Sequence, residues 1–391
     1  GERLTMTLND TFNITDCPNL ESDYEISYRR FRVTVDVFIV GFLCIFGILG
    51  NIISMCVIKS GKIAPARTTT FLLQCLSVSD SCYLVMAFLS SSLRGIWKYT
   101  DWGDPFYGNY PYMYRYIWAL SAIGRLLAVN FVVLVTLDRY LMICHPLSVK
   151  RWCTFPRVRI MAIVTIIVSI GFNIPRFFDK VPVEYNNCTK FFEVGGYADY
   201  LKLNGEFYSM AYITVLYYTA NVIIPIIVLL VLNSQIIAVL KRSSKFKRAS
   251  SMKTTSTKEQ KAVNNPKERM VTVMLCVVVV VFIVCQTPAF AISMVYTLYS
   301  FGVKMPDRSM MRYWYSIGIT LVAFNSAINF VVYFAFSNQF RQVLISHLIR
   351  MKFYFKGPVA QSKTLEENMP MTTEVNETNG IDSNISPRGR V

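Results

Sequence analysis

The run 114-YRYIWALSAIGRLLAVNFVVLVTLDRYLM-142 is apolar for longer than the roughly 20 residues a helix needs to cross a bilayer. One full charge, Arg125, sits in its middle, with no acidic residue for a dozen positions on either side. Six further runs of the same kind occur at 34–58, 69–93, 158–178, 208–240, 271–299 and 312–336, which makes seven. A membrane barrel would instead show short alternating segments. The composition agrees with a membrane protein: 53% of the 391 residues are hydrophobic, 14% are aromatic and only 16% are charged. The mean hydropathy is +0.38. These values exclude a water-soluble enzyme or binding domain of ordinary composition.

Seven spans place the two termini on opposite sides. The segment between the fifth and sixth runs carries Lys241, Arg242, Lys245, Lys247, Arg248, Lys253, Lys258, Lys261, Lys267 and Arg269 against Glu259 and Glu268, so it is expected in the cytoplasm. The net charge of +16 then reflects topology and attraction to anionic lipid rather than nucleic-acid binding. The N-terminus is expected outside, where Asn9 and Asn13 head glycosylation sequons, as Asn187 does in the loop after the fourth run. The chain opens at Gly1 without an initiator Met, and either the first run targets it to the membrane or a signal has been removed. Of the ten cysteines only Cys17 and Cys188 fall in expected extracellular segments. They form the one pairing available to a disulfide on the oxidising side, the alternative being two free thiols.

The expected fold is an all-α membrane protein, a seven-transmembrane helix bundle with a short amphipathic eighth helix. Residues 1–32 form a glycosylated extracellular segment, 33–356 the bundle with its juxtamembrane helix, and 357–391 a polar, disordered cytoplasmic tail. In the eighth helix, 337–356, Phe340, Leu344, His347 and Leu348 share a face, with Arg341, Arg350, Lys352 and Lys356 interspersed, as in a helix lying on a membrane surface.

Strongly polar groups inside a span are costly and mark function by default. Asp80, Asn51, Asn325, Ser326 and Asn329 lie at comparable depths of three runs and can satisfy one another, either as a site between helices or as interhelical glue. At the inner end of the third run stands 138-DRYLMICHPL-147, and at the start of the sixth 267-KERM-270. Asp138, Arg139 and Glu268 there can form an ion-pair latch that a helix swing opens.

Taken together, Asn51 of GN, Asp80 of LSVSD, Arg139 of DRY with the following CHP, Pro225, Pro288 of CQTP, and Asn329 with Tyr333 of NFVVY resemble the rhodopsin-like (class A) G-protein-coupled receptors. The resemblance implies that Asp138, Arg139, Tyr140 and Glu268 serve coupling and the latch. It makes Asn51, Asp80, Pro288, Asn325, Ser326, Asn329 and Tyr333 an internal relay. The implied partners are an extracellular ligand, a heterotrimeric G protein, arrestin, receptor kinases and membrane lipid, with no cofactor and no nucleic acid. The segments 144-CHPLSVKRWCTFPRVR-159 and 172-FNIPRFFD-179 are similar to invertebrate neuropeptide receptors, notably the FMRFamide-receptor-like group.

The chain also departs from that pattern. Tyr114 stands where the family has a cysteine, Gln286 where it has the sixth-helix tryptophan, Phe330 in place of the NPxxY proline and Asn233 in place of the fifth-helix tyrosine. Ala128 replaces a serine of the family's sodium site, which puts sodium at Asp80 in doubt, and no other metal is expected. Ser121 replaces the aspartate of amine receptors and Ala323 the lysine of opsins, which disfavours an amine or retinal.

The outer segments interleave aromatic groups such as Trp97, Trp102, Tyr107 and Phe192 with both signs of charge, which suits a peptide; the resemblance implies an amidated RF-amide-like one, whose arginine can pair with Glu184, Glu193, Asp199 or Glu206. Arg94, Ser121, Arg125, Glu193, Gln286 and Phe290 are the candidate contacts. The alternatives are a non-peptide ligand or, from another class, a transporter or channel using Asp80 and Arg125. Interrupted short helices in duplicated halves, the mark of many transporters, are absent from the sequence. Arg125 keeps three readings: a bond to Gln286, a pair with Asp80, or a contact with a ligand oxygen. An enzyme is not expected, since His145 and His347 are the only histidines and no nucleophile or metal-ligand spacing accompanies them. The 247-KRASS-251 segment offers a kinase context on the basic side.

Overall fold

The computed structural model describes residues 23–60, 66–99, 109–145, 149, 152–186, 191–194, 197–249, 266–304 and 307–355. The chain divides into one unit of residues 1–343 and a second of 344–391. The larger unit holds the bundle. Among the described residues six helices are long and apolar enough to cross a membrane: Ile26–Lys59, Arg67–Trp97, Tyr110–Cys144, Phe155–Phe178, Ser209–Arg242 and Cys276–Tyr299. A seventh span is a bent pair, Ser309–Ala327 and Asn329–Phe336, with 47° between its halves. They are called here the first to seventh helices. The eighth helix runs Asn338–Phe355.

Hydrophobic side chains cover both the inside and the outside of this bundle, as a lipid environment allows. In the fourth helix Ile160, Ile163, Val164, Ile167 and Val168 are all exposed, while Val158, Ala162, Ser169 and Asn173 face the neighbouring helices. Without a hydrophobic force between helices in lipid, close backbone approach and polar bonds hold them. Gly47 and Gly50 show the first device. A Cβ on Gly47 would lie 2.6 Å from Leu84 Cδ1 and 2.7 Å from Ala327 Cβ, and one on Gly50 would lie 2.8 Å from Phe330 Cβ. The second device joins the third and fourth helices, where Asn130 donates to Ser169 Oγ at 3.5 Å.

The helices outrun the apolar runs that reveal them. The first begins inside the helical segment Asp23–Arg32, well before residue 33, because backbone hydrogen bonding continues past the point where Arg29, Arg30 and Arg32 end the apolar pattern. Wide π-helical turns occupy Val33–Val40, Phe88–Leu93, Ser209–Leu216 and Thr219–Ile223, all toward one end of the bundle. At that end an antiparallel hairpin pairs β1 (Val183–Asn186) with β2 (Phe191–Val194), the one sheet among the described residues and an element absent from the all-α expectation. A short helix, Tyr197–Leu203, follows it. The seventh helix breaks at Ile328 although Phe330 replaces a proline there.

Candidate functional site

At the hairpin end the helices enclose a cavity of about 140 Å³. Its wall includes Arg94, Ser121 and Arg125, three of the six expected contacts. Gln286 lies just behind it, buried, and accepts a 2.6 Å hydrogen bond from Arg125 Nη2. The first of the three readings of Arg125 is thus the one seen, and no bond joins it to Asp80 among the described residues. Phe290 is not in the wall; its ring lies 5.5 Å from that of Tyr218, which is. Glu193 lies on β2 opposite Glu184 in register, and its side chain falls outside the described residues.

Sequence reading did not place two charged groups of this wall, Asp36 and Arg176. Asp36 of the first helix lines it, paired with Arg32 at 2.6 Å and accepting from Ser316 Oγ at 3.3 Å. Ser92 Oγ donates to the Asp36 carbonyl at 2.7 Å. A carboxylate so placed needs such partners, because burial without them costs several kcal/mol. Arg176, at the end of the fourth helix, also lines the cavity, and its guanidinium carbon stands 4.0 Å from the centre of the Tyr217 ring. Asp36 and Arg176 each broke an apolar run in the sequence, and that interruption was the available signal. Arg94 donates to the Val194 carbonyl at 3.4 Å, fastening the hairpin to the second helix, and lies over the rings of Tyr110 and Tyr114. Tyr114, which replaces the family's cysteine, instead stacks on Trp118 at 6.0 Å.

Beside Arg176, Asp179 accepts from the hydroxyls of Tyr200 and Tyr208, the latter at 2.6 Å. Burial, with Asp179 adding to it, pushes both phenols well above the usual tyrosine range, so they stay protonated donors.

Deeper in the bundle the expected relay residues meet. Asn329 Nδ2 donates to Asp80 Oδ2 at 2.7 Å, the Ser326 hydroxyl stands beside the same carboxylate, and Asn51 Nδ2 donates to the Ser326 carbonyl at 3.3 Å. Asn325 is half-buried, and among the described residues no hydrogen bond joins it to Asp80, Asn51 or Asn329. Tyr333 is buried, with its ring 6.0 Å from Phe340. Pro288 sits inside the sixth helix, where a proline removes one backbone bond. Ala128 supplies no side-chain oxygen near Asp80. Among the described residues no cluster of three or more His, Cys, Asp or Glu side chains suits a metal ion.

At the opposite end, Asp138 and Arg139 are both buried and lie 3.9 Å apart. Their principal connection passes through the second helix. Thr68 Oγ1 and Thr69 Oγ1 donate to Asp138 at 3.1 and 2.5 Å, and Arg139 donates to Thr69 Oγ1. Neither threonine was singled out in the sequence, although 67-RTTT-70 at a helix start is a visible run of hydroxyls. Tyr140 Oη lies 3.0 Å from His145 Nε2. The Glu268 side chain, Cys17, Cys188, Asn9, Asn13 and Asn187 lie outside the described residues. The described cysteines, Cys44, Cys56, Cys75, Cys82, Cys144, Cys153, Cys276 and Cys285, are all free.

A bundle of seven spans, with a cavity at one end and a buried Asp138–Arg139 pair at the other, is the architecture of a transmembrane receptor. Residues 50–333 match the 7 transmembrane receptor (rhodopsin family) pattern, and the chain belongs to that family. The family is one of multi-pass membrane receptors rather than enzymes. The chain is 30% identical over 205 residues to the FMRFamide receptor of Drosophila melanogaster, covering 51% of this chain and 36% of that protein. It is 30% identical over 239 residues to an FMRFamide peptide receptor of Caenorhabditis elegans, covering 60% of this chain and 51% of that one. The Sex peptide receptor of Drosophila melanogaster is 24% identical over 319 residues, 77% of this chain and 69% of that one. The chain thus spans between about a third and a half of the length of the first two relatives.

Proposed function

We propose that the chain is a plasma-membrane receptor for an extracellular neuropeptide, an amidated peptide of RF-amide type, with its N-terminus outside and its C-terminus in the cytoplasm. Ligand binds better to a state in which the sixth helix has swung outward, and that state presents Arg139 to a heterotrimeric G protein. Arrestin and receptor kinases then act on the basic loop and the tail. The carrying observation is the cavity itself. It opens among polar and aromatic side chains at the hairpin end, and its Arg125 touches the sixth helix through Gln286.

Two further points support the reading. The relatives named for FMRFamide come from an insect and a nematode at equal identity. The hairpin that pairs Val183–Asn186 with Phe191–Val194 is fastened to the second helix beside the cavity by the bond from Arg94 to the Val194 carbonyl. The test is a calcium or cAMP assay in transfected cells against a panel of amidated neuropeptides, with amines and lipids alongside. An RF-amide peptide is expected to activate at the lowest concentration. Activation by an amine or lipid with silence across the peptides would overturn the peptide reading.

A further inference from the structure

Four guanidinium groups line the cavity, those of Arg32, Arg94, Arg125 and Arg176, against one described carboxylate, Asp36. Asp36 is taken by Arg32 at 2.6 Å. Asp179, next to Arg176, is held by two tyrosine hydroxyls. Among the described residues, then, no carboxylate stands within ion-pair distance of Arg94, Arg125 or Arg176.

Arg94 and Arg176 have other employment, on the Val194 carbonyl and on the face of Tyr217. Arg125 does not. Among the described residues its one hydrogen bond runs from Nη2 to Gln286 Oε1, and its buried Nε has no partner. A guanidinium offers five N–H donors, and a neutral amide oxygen leaves its charge uncompensated in a poorly solvating interior. Gln286 belongs to the sixth helix and is 2% exposed, so the bond is both a tie between the third and sixth helices and an occupied acceptor position at the edge of the cavity.

We infer that Arg125 is the receiving group for a carbonyl oxygen of the ligand, carboxamide or carboxylate, and that this oxygen competes with Gln286 for it. Binding then loosens the tie from the third helix to the sixth, and ligand recognition and helix release become one exchange of hydrogen bonds. A carboxylate oxygen has the stronger claim, since it brings a compensating charge and a bidentate geometry that the neutral Gln286 oxygen does not offer. This inference rests on the receptor reading above and adds the chemistry of the deep contact and the bond it replaces.

The test uses the full chain in cells, with G-protein signalling normalised to surface level and the peptide Phe-Met-Arg-Phe-amide and its free-acid form as probes. Gln286→Leu, which cannot accept, is expected to raise basal signalling and peptide potency. Gln286→Glu, which turns the tie into an ion pair, is expected to lower basal signalling and to shift the response to about tenfold higher peptide concentration. Gln286→Met serves in place of leucine if the latter fails to reach the surface.

Arg125→Gln is expected to lower potency, by a larger factor for the acid if the contact is a carboxylate and equally for both forms if it is a carbonyl. Opposite shifts from the leucine and glutamate variants support the exchange. Shifts in the same direction, or no shift at wild-type surface level, overturn it. If neither probe activates the wild type, this tetrapeptide is not the ligand, while the basal signals of the Gln286 variants still decide whether the tie restrains the sixth helix.

Discussion

Thr69 stands between two buried opposite charges, donating to Asp138 and accepting from Arg139. Hydrogen bonds to charged groups are worth about 1.5–3 kcal/mol, and a buried charge that loses its partner must find another or move. Thr69→Val keeps the shape and removes both bonds. It is expected to raise basal signalling as Arg139 becomes free to leave its resting place. Arg139→Ala is expected to keep peptide binding and abolish G-protein activation. Radioligand binding with a nucleotide-exchange assay separates the two properties, and normal signalling from the alanine variant would remove Arg139 from the coupling role. At this scale the sequence carried Asp138 and Arg139 plainly, because charge inside an apolar run is costly wherever it occurs. It did not carry Thr69, whose hydroxyl matters only because the second helix packs against the third at that level.

Among the helices, the meeting of the first and seventh depends on two missing side chains. At Gly47 an added Cβ would also lie 2.8 Å from Ala327 Cα, which is backbone and cannot turn aside. Gly47→Leu is therefore expected to destabilise the receptor by about 1–3 kcal/mol, the usual cost of overpacking, and to lower its surface level. Gly171→Ala, where nothing lies within 4 Å, is the matched control and is expected to be neutral. A thermal-stability assay on detergent-solubilised receptor measures both. Equal stability of the two variants would mean that the first and seventh helices part without loss.

The seventh helix makes a related point. Its bend persists with Phe330 in place of proline, and beyond the break Asn329 is bonded to Asp80 of the second helix. A tertiary hydrogen bond anchors the backbone where a local proline would have disturbed the ladder.

For the whole molecule, we propose a bridge between Cys17 and Cys188 on the oxidising side of the membrane. Cys17→Ser and Cys188→Ser are expected to lower surface expression by the same factor, with the double variant no worse than either, as a shared bridge requires. Mass-spectrometric thiol labelling of the native receptor checks the pairing directly. Labelling of both cysteines without reduction would show two free thiols. The described cysteines leave the expectation untouched, since all of them are free and lie in or beside the helices.

The sequence by itself determined the class of fold, because bilayer thickness imposes a run length that consecutive apolar residues display, and it marked Asp80, Arg125, Asp138 and Arg139 as charges inside such runs. It narrowed Arg125 to three partners. Only the tertiary structure chose Gln286, revealed Asp36 and Arg176 in the same cavity, and placed Thr69 between Asp138 and Arg139. The reason is physical. A span is written in consecutive residues, whereas a partner is fixed by how far each helix is rotated and raised against its neighbours. That setting is decided by glycine contacts and interhelical hydrogen bonds, which no local pattern records.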